Sequence, residues 1–200
     1  MFDSATSDQA PFDIARVLAD SGRIDEAIAG LQTALAEGQS ADLHVALATL
    51  YLRRGGGATA AMAALERALE CDPSSGVAHA YMGALLVATG RIDDGVAHLD
   101  RARDLAPNDI IVAIKRAEYW LRIGVLDRAR SELREALLNG GGEPDVRAVA
   151  RELLESVNGR VKSSFVRRTI ALPGLPRISR SLRRRSQPAV PALAEIEVSP

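Results

Sequence analysis

The sequence predicts an all-α protein: an α-solenoid of four helical hairpins, followed by a capping helix and a disordered basic tail. Three observations predict this fold. Glycines recur every 34 positions, at Gly22, Gly56, Gly90 and Gly124. The apolar residues between them follow helical spacing. Aromatic residues make up only 4% of the 200-residue chain, so alanine and leucine must form closely packed helices. A period of this length, with small residues at fixed offsets, is typical of stacked helical hairpins.

The second helix of each hairpin carries the clearest pattern. A small residue is followed by leucine four positions later and by alanine three positions after that, which places all three on one helix face. The four copies are Ala27, Leu31 and Ala34; Ala61, Leu65 and Ala68; Gly95, Leu99 and Ala102; and Ala129, Leu133 and Ala136. The small residues allow neighbouring helices to approach closely.

The first helix of each hairpin is predicted from its apolar spacing and from the glycine that ends it. In the first repeat it runs from Phe12 to Ala19 and stops at Gly22. The first helix of the second repeat is one residue out of step, and the extra residue is placed in the triple glycine at 55–57. The predicted repeats are about 8–41, 42–75, 76–109 and 110–141.

These residues resemble the tetratricopeptide repeat family, whose pattern is W-x2-L-G-x2-Y, then A-x3-F, then a closing proline. The third repeat fits best, and the first and fourth depart most. Gln39 and Gly141 replace the closing proline, and Arg116 stands where an aliphatic residue is expected. End repeats of solenoids are commonly atypical because each has only one neighbour. The residues of the third repeat that carry the match are Met82, Gly83, Leu86, Gly90, Gly95, Leu99, Ala102 and Pro107.

The chain divides into three predicted regions. Residues 1–10 are expected to be disordered, residues 11–158 to form the solenoid, and residues 159–200 to be a disordered tail that contains prolines and arginines. Within the solenoid, residues 144–157 read as a capping helix with one apolar and one charged side. Such a helix would cover the apolar end of the stack.

The resemblance implies a binding site on the concave side, because in this family the first helix of each hairpin lines the inner face. The implied groove is mostly aliphatic. Ala80 and Ala84 have an alternative interpretation, in which they pack between helices. The implied groove residues are Phe12, Arg16, Val45, Thr49, Leu52, Val77, Ala80, Ala84, Val87, Ile111, Ile114, Glu118 and Leu121.

The sequence gives no motif for catalysis, a metal or a cofactor. His44 and His79 occupy the same position in adjacent repeats, which would separate them by ~8–10 Å, and His98 lies on another helix. The triple glycines lack the Gly-Lys-Ser/Thr ending of a phosphate loop. The single cysteine, Cys71, can form no internal disulfide. The lysines and asparagines with which some relatives clamp a chaperone carboxylate are missing, so that type of partner is not expected.

Charge is distributed unevenly along the chain. Residues 160–200 carry a net charge of +7 and residues 1–159 carry −8. Four interpretations of the tail remain: a solvated linker, a contact with an anionic membrane, a contact with the acidic solenoid and, least favoured because aromatics are few, a nucleic-acid contact. The basic residues assigned to this region are Arg167, Arg168, Arg177, Arg180, Arg183, Arg184 and Arg185.

Together these features predict a non-enzymatic scaffold that binds a peptide or helix of another protein in the aliphatic groove. The alternative is a peripheral membrane factor, or a nucleic-acid-associated one, in which the tail supplies the main affinity. Residues 1–11 do not resemble a secretory signal, and no stretch reaches the ~18 uncharged apolar residues of a membrane span. The predicted location is the cytoplasm. The excess of arginine over lysine, 23 to 2, is typical of GC-rich bacterial genomes.

Overall fold

The computed structural model describes residues 4–159, with side chains described from residue 11. This part of the chain forms nine α-helices and no strands, so the predicted all-α solenoid is confirmed. Consecutive pairs form hairpins 1 to 4, and α9 follows them as a single helix. The helices are α1 (Ser4–Asp20), α2 (Ile24–Glu37), α3 (Ala41–Arg54), α4 (Ala58–Cys71), α5 (Gly76–Ala88), α6 (Ile92–Leu105), α7 (Ile110–Ile123), α8 (Leu126–Asn139) and α9 (Pro144–Val157).

The periodic glycine makes the turn within each hairpin. Gly22, Gly90 and Gly124 have φ values of 82°, 95° and 82°, a left-handed conformation that L side chains rarely adopt. After Gly22 the chain folds back, and the Arg23 amide donates a 2.8 Å hydrogen bond to the Leu18 carbonyl. This bond is the signature of a Schellman helix end. The 34-residue glycine period therefore follows from backbone geometry at the turn.

The core consists of the apolar stripes that the sequence places on the second helices. Leu31, Leu65, Leu99 and Leu133, at the same position of successive repeats, are fully buried. Burial of one leucine side chain stabilises the fold by about 2 kcal/mol. Leu153 of α9 is also fully buried and joins the core of hairpin 4. The helix α9 thus covers the end of the stack.

The first helices contact one another in sequence, from α1 through α3, α5 and α7 to α9, and we call the side of the stack that they share the concave side. The second helices lie outside them. At the end of this series the start of α9 lies beside α1, where Arg16 Nη1 is 3.6 Å from Asp145 Oδ2. The first and last helices of this series therefore approach each other at one place on the concave side.

Two predicted regions differ from the structure or lie outside it. The helix α1 begins at Ser4, inside the segment 1–10 that the sequence predicts to be disordered, and it includes Pro11. Residues 4–10 contain neither glycine nor proline, so no helix-breaking residue interrupts the helix on the N-terminal side of Pro11. The tail, with all seven arginines assigned to it, lies outside the described residues. Among residues 4–159, no helix is long and apolar enough to cross a membrane.

Candidate functional site

The concave side contains a small cavity of about 80 Å³ between α3, α5 and α7, which we call the inner cavity. Its floor is aliphatic and its rim is polar. A volume of this size accommodates roughly one small aliphatic side chain, since a 150 Å³ cavity holds benzene. The residues that line it are Leu52, Tyr81, Ala84, Leu85, Val87, Ala88, Lys115, Glu118, Tyr119 and Arg122.

A charged pair on α7 borders the inner cavity. Lys115 Nζ donates to Glu118 Oε2 at 3.2 Å and lies 4.9 Å from the centre of the Tyr81 ring. Burial alone would lower the pKa of Lys115, but Glu118 and Tyr81 outweigh it and the pKa is raised. Burial raises the pKa of Glu118, against the opposing effect of Lys115. The ammonium group is thus held in place next to an apolar floor.

A larger cavity of about 420 Å³ lies between hairpin 1, α3 and the start of α9, and we call it the seam cavity. Arg16 borders it and pairs with both Asp13, at 3.3 Å, and Asp145, at 3.6 Å. All three side chains are well exposed, so these pairs add little stability. The volume is in the range of small-ligand and side-chain pockets. The lining residues are Phe12, Asp13, Ala15, Arg16, Ala19, Leu31, Ala46, Thr49, Leu50, Arg53, Glu143, Asp145 and Val146.

The structure distributes the thirteen predicted groove residues over four environments. Phe12, Arg16 and Thr49 line the seam cavity. Another four line the inner cavity: Leu52, Ala84, Val87 and Glu118. Three are half-buried beside the cores of hairpins 2 and 4: Val77, Ile111 and Leu121.

The remaining three groove predictions need correction, because these side chains are buried between helices. Ala80 is 0% exposed and packs with Ala102 of α6 and Val112 of α7. Val45 lies in the core of hairpin 2, and Ile114 in the core of hairpin 4. A first helix has one face on the concave side and two faces against neighbouring helices. The position of a residue within the repeat does not by itself tell on which of these faces it lies.

Apart from Glu118, sequence reasoning missed the polar rim of the inner cavity. Lys115, Glu118 and Arg122 are spaced three and four residues apart, which places them on one face of α7. That spacing was the available signal for a charged patch. Burial lowers the pKa of Arg122, and Glu118 opposes that effect. Tyr81, by contrast, reaches the rim from α5, and no local pattern in the sequence connects it to α7.

The second missed feature is a buried ion-pair network that fixes α7 to its neighbours. Arg116, 5% exposed, donates to both carboxylate oxygens of Glu132 at 2.8 and 2.9 Å and to Asp100 at 2.9 Å. Trp120 Nε1 also donates to Glu132, at 2.8 Å. Burial would lower the pKa of Arg116, but the two carboxylates reverse the effect. The arginine that departs from the family pattern therefore bridges α6 and α8.

The histidines occupy helix interfaces. His79 and His98, on α5 and α6, face each other with their Nδ1 atoms 2.9 Å apart. His44 Nε2 contacts Gln39 Oε1 at 2.8 Å. In the described part of the chain, no group of three or more His, Cys, Asp or Glu side chains is arranged to hold a metal ion. The contact between His79 and His98 joins the two helices of hairpin 3, and His44 contacts the segment that connects α2 to α3.

Comparison with known families identifies the repeats. Two family models, each described as tetratricopeptide repeat, match residues 12–76 and residues 52–119. Together they span residues 12–119, more than half of the chain. A comparison with curated proteins gives no match. The repeat matches agree with the helical hairpins and their 34-residue period, and the chain belongs to the tetratricopeptide repeat family.

Proposed function

We propose that this protein is a non-enzymatic scaffold whose concave side binds a peptide or helix of a partner protein. Tetratricopeptide repeats are generally protein–protein interaction modules. The observation that carries the proposal is the inner cavity, where an aliphatic floor meets a fixed ammonium group. An aliphatic side chain of the partner enters this cavity, and the neighbouring partner backbone or an acidic side chain meets Lys115.

The proposed mechanism is binding to a pre-organised surface. Leu85 and Val87 of the floor are buried in the packed helices, and the Lys115–Glu118 pair is already formed. Because the scaffold is already rigid, most of the conformational entropy lost on binding is lost by the partner segment. The total entropic cost of association is therefore smaller. The seam cavity, about 420 Å³ in volume, offers a second place for partner side chains along the same concave side.

The proposal is tested by replacing Ala84 with arginine in the full-length chain. Ala84 lines the inner cavity, so the new side chain fills it and adds a positive charge beside Lys115. The matched control is Ala63→Arg, because Ala63 is an exposed alanine on α4. Both variants are first compared with the wild type by circular dichroism. We expect quantitative affinity purification to lose the wild-type partners with Ala84→Arg and to retain them with Ala63→Arg.

A folded Ala84→Arg protein that retains every wild-type partner would contradict binding at the inner cavity. Salt then separates this proposal from affinity supplied by the basic tail. Burial of aliphatic groups is little affected by several hundred millimolar salt, whereas contacts between arginines and an anionic surface are screened. Partners that dissociate from the full-length chain at high salt, and that a chain without residues 160–200 fails to bind at low salt, would support the tail instead.

A further inference from the structure

Two apolar side chains of α1 are exposed although their repeat equivalents are buried. Ile14 is 59% exposed and Val17 is 65% exposed. Two periods of 34 residues further on stand Met82 and Leu85, which are 5% and 2% exposed and lie in the core of hairpin 2. Ile14 and Val17 therefore occupy the positions at which a first helix packs on the preceding hairpin. Among the described helices, none covers them.

The adjacent surface of α2 is uncharged, unlike its equivalents in the other hairpins. In hairpin 4 the equivalent residues include Glu132 and Glu135, which line a cleft of about 370 Å³ that faces hairpin 3. In hairpin 2 they include Arg67 and Glu70. Hairpin 1 has only small uncharged residues at these positions. We call the combined exposed surface the N-terminal flank, defined as Ile14, Val17, Ala29, Gly30, Thr33 and Ala36.

The other end of the stack is different. Arg151 and Glu155 of α9 are exposed, and they are the repeat equivalents of Gly83 and Val87, which contact α6. Charged residues at these positions suit contact with water. The C-terminal end of the stack is thus a polar surface, whereas Ile14 and Val17 keep the apolar character of a first helix that packs on a preceding hairpin.

Acidic residues surround the N-terminal flank. Asp13 and Asp20 flank Val17 at helical spacing on α1, and Glu26 and Glu37 do the same for the small residues of α2. Residues 11–37 carry five carboxylates and two arginines, a net charge of −3. The ion pairs that these carboxylates form are exposed and therefore exchange easily. An apolar surface with an acidic rim fits a basic segment with a few aliphatic side chains.

We propose that the N-terminal flank is the docking site of residues 177–185 of the same chain. This segment, Arg-Ile-Ser-Arg-Ser-Leu-Arg-Arg-Arg, has five arginines and no acid. Its two aliphatic residues, Ile178 and Leu182, are four apart, a spacing that one helical turn would place on the same face. They cover Ile14 and Val17, and the small serines between them allow close approach to α2. The arginines then meet the acidic rim.

The chain is long enough for this contact. Residues 159 to 177 span up to about 60 Å when extended. The stack of four hairpins is about 40 Å from end to end, at 8–10 Å for each packed helix layer. The contact between Arg16 and Asp145 also shows that the first and last helices approach each other. Docking within one molecule is therefore possible without rearrangement of the helices.

The test is disulfide trapping in the full-length protein, with Cys71→Ser as background. The first variant carries Thr33→Cys on the N-terminal flank and Ser181→Cys in the tail segment. The control carries Leu138→Cys, at the exposed far end of hairpin 4, with the same Ser181→Cys. Position 138 is closer along the chain to the tail, so random encounter favours the control. We expect the Thr33 pair to form a monomeric disulfide at least tenfold faster than the control.

A third protein adds Val17→Asp to the Thr33 pair, and circular dichroism confirms that each protein is folded. We expect the rate advantage to disappear, because a carboxylate on the flank blocks contact with Ile178 and Leu182. Equal rates for the first pair and its control would overturn the proposal. So would a disulfide-linked dimer, which would place a second copy on the flank. A rate advantage that survives Val17→Asp and vanishes in salt would also overturn it, since charge alone would then explain the contact.

Discussion

Hairpins 3 and 4 occupy equivalent positions in the solenoid but hold their two helices together by different chemistry. In hairpin 3, Gly83 and Gly95 face each other, and a Cβ added to Gly95 would lie 2.6 Å from Val87 Cγ2 and 2.8 Å from the Gly83 carbonyl oxygen. The equivalent residues of hairpin 4 are Ala117 and Ala129, both buried. The helices of hairpin 3 therefore meet backbone to backbone, and those of hairpin 4 meet through methyl groups.

The polar contacts of the two hairpins differ at the same positions. Arg116 of hairpin 4 is the equivalent of Met82 in hairpin 3, and Glu132 is the equivalent of His98. Hairpin 4 thus joins α7 to α8 by a bidentate ion pair, whereas hairpin 3 joins α5 to α6 by a contact between two histidines. The same repeat geometry thus allows two helices to be held together by close packing, as in hairpin 3, or by an ion pair, as in hairpin 4. Different substitutions should therefore destabilise the two hairpins.

The largest expected effect is that of removing the ion-pair network. Arg116→Ala leaves Glu132 and Asp100 without their main partner and opens a gap between α6 and α8. Breaking a buried pair commonly costs 3–5 kcal/mol, and because both carboxylates keep some exposure we expect about 3 kcal/mol in the free energy of unfolding. Urea unfolding measures it.

Arg116→Met is the matched variant, because methionine fills the equivalent place in hairpin 3. We expect it to be less harmful than alanine, and we expect the double variant Arg116→Met, Glu132→Gln to recover part of the remaining loss. Equal losses for the alanine and methionine variants would show that packing at this position contributes little. A loss below about 1 kcal/mol for both would show that the network is not a main support of hairpin 4.

The next effect concerns the close approach in hairpin 3. Gly95→Ala introduces a Cβ where the backbone leaves no room, which commonly costs about 1–3 kcal/mol. The better helix propensity of alanine returns up to about 1 kcal/mol. We therefore expect a net destabilisation of about 1–2 kcal/mol in urea unfolding.

The control for this substitution is Gly30→Ala on α2, where an added Cβ would meet nothing within 4 Å. Helix propensity acts alone there, so we expect this variant to be more stable than the wild type by up to about 1 kcal/mol. The same substitution thus has opposite signs in two helices. If Gly95→Ala is also stabilising, the helices of hairpin 3 separate more easily than their contacts imply.

The sequence predicted the fold well because its determinants are local and repeated. Glycines at the turns and the Ala–Leu–Ala stripes act at short range in each repeat, and the buried Leu31, Leu65, Leu99 and Leu133 follow directly from them. The candidate site was harder to predict. Whether Ala80 or Ala84 faces the cavity depends on the angle between α5 and its neighbours. The partners of Arg116 lie 16 residues away on both sides, on other helices.

The smallest of the three effects is the pH dependence of hairpin 3. Burial, followed by the charge of His79, lowers the pKa of His98 below its ordinary value of 6.5. In the unfolded chain His98 therefore binds a proton at higher pH than in the folded protein, so the folded state loses stability as the pH falls below about 6.5. His44, whose pKa is lowered mainly by burial, acts in the same direction. We expect the melting temperature of the wild type to fall by a few degrees between pH 7.5 and 5.5.

His98→Asn should reduce this fall, since asparagine has no proton to gain. The control Ala97→Asn, at an exposed position on the same helix, should leave it unchanged. A His98→Asn protein with the same pH dependence as the wild type would show that the contact between His79 and His98 does not set the acid sensitivity of hairpin 3.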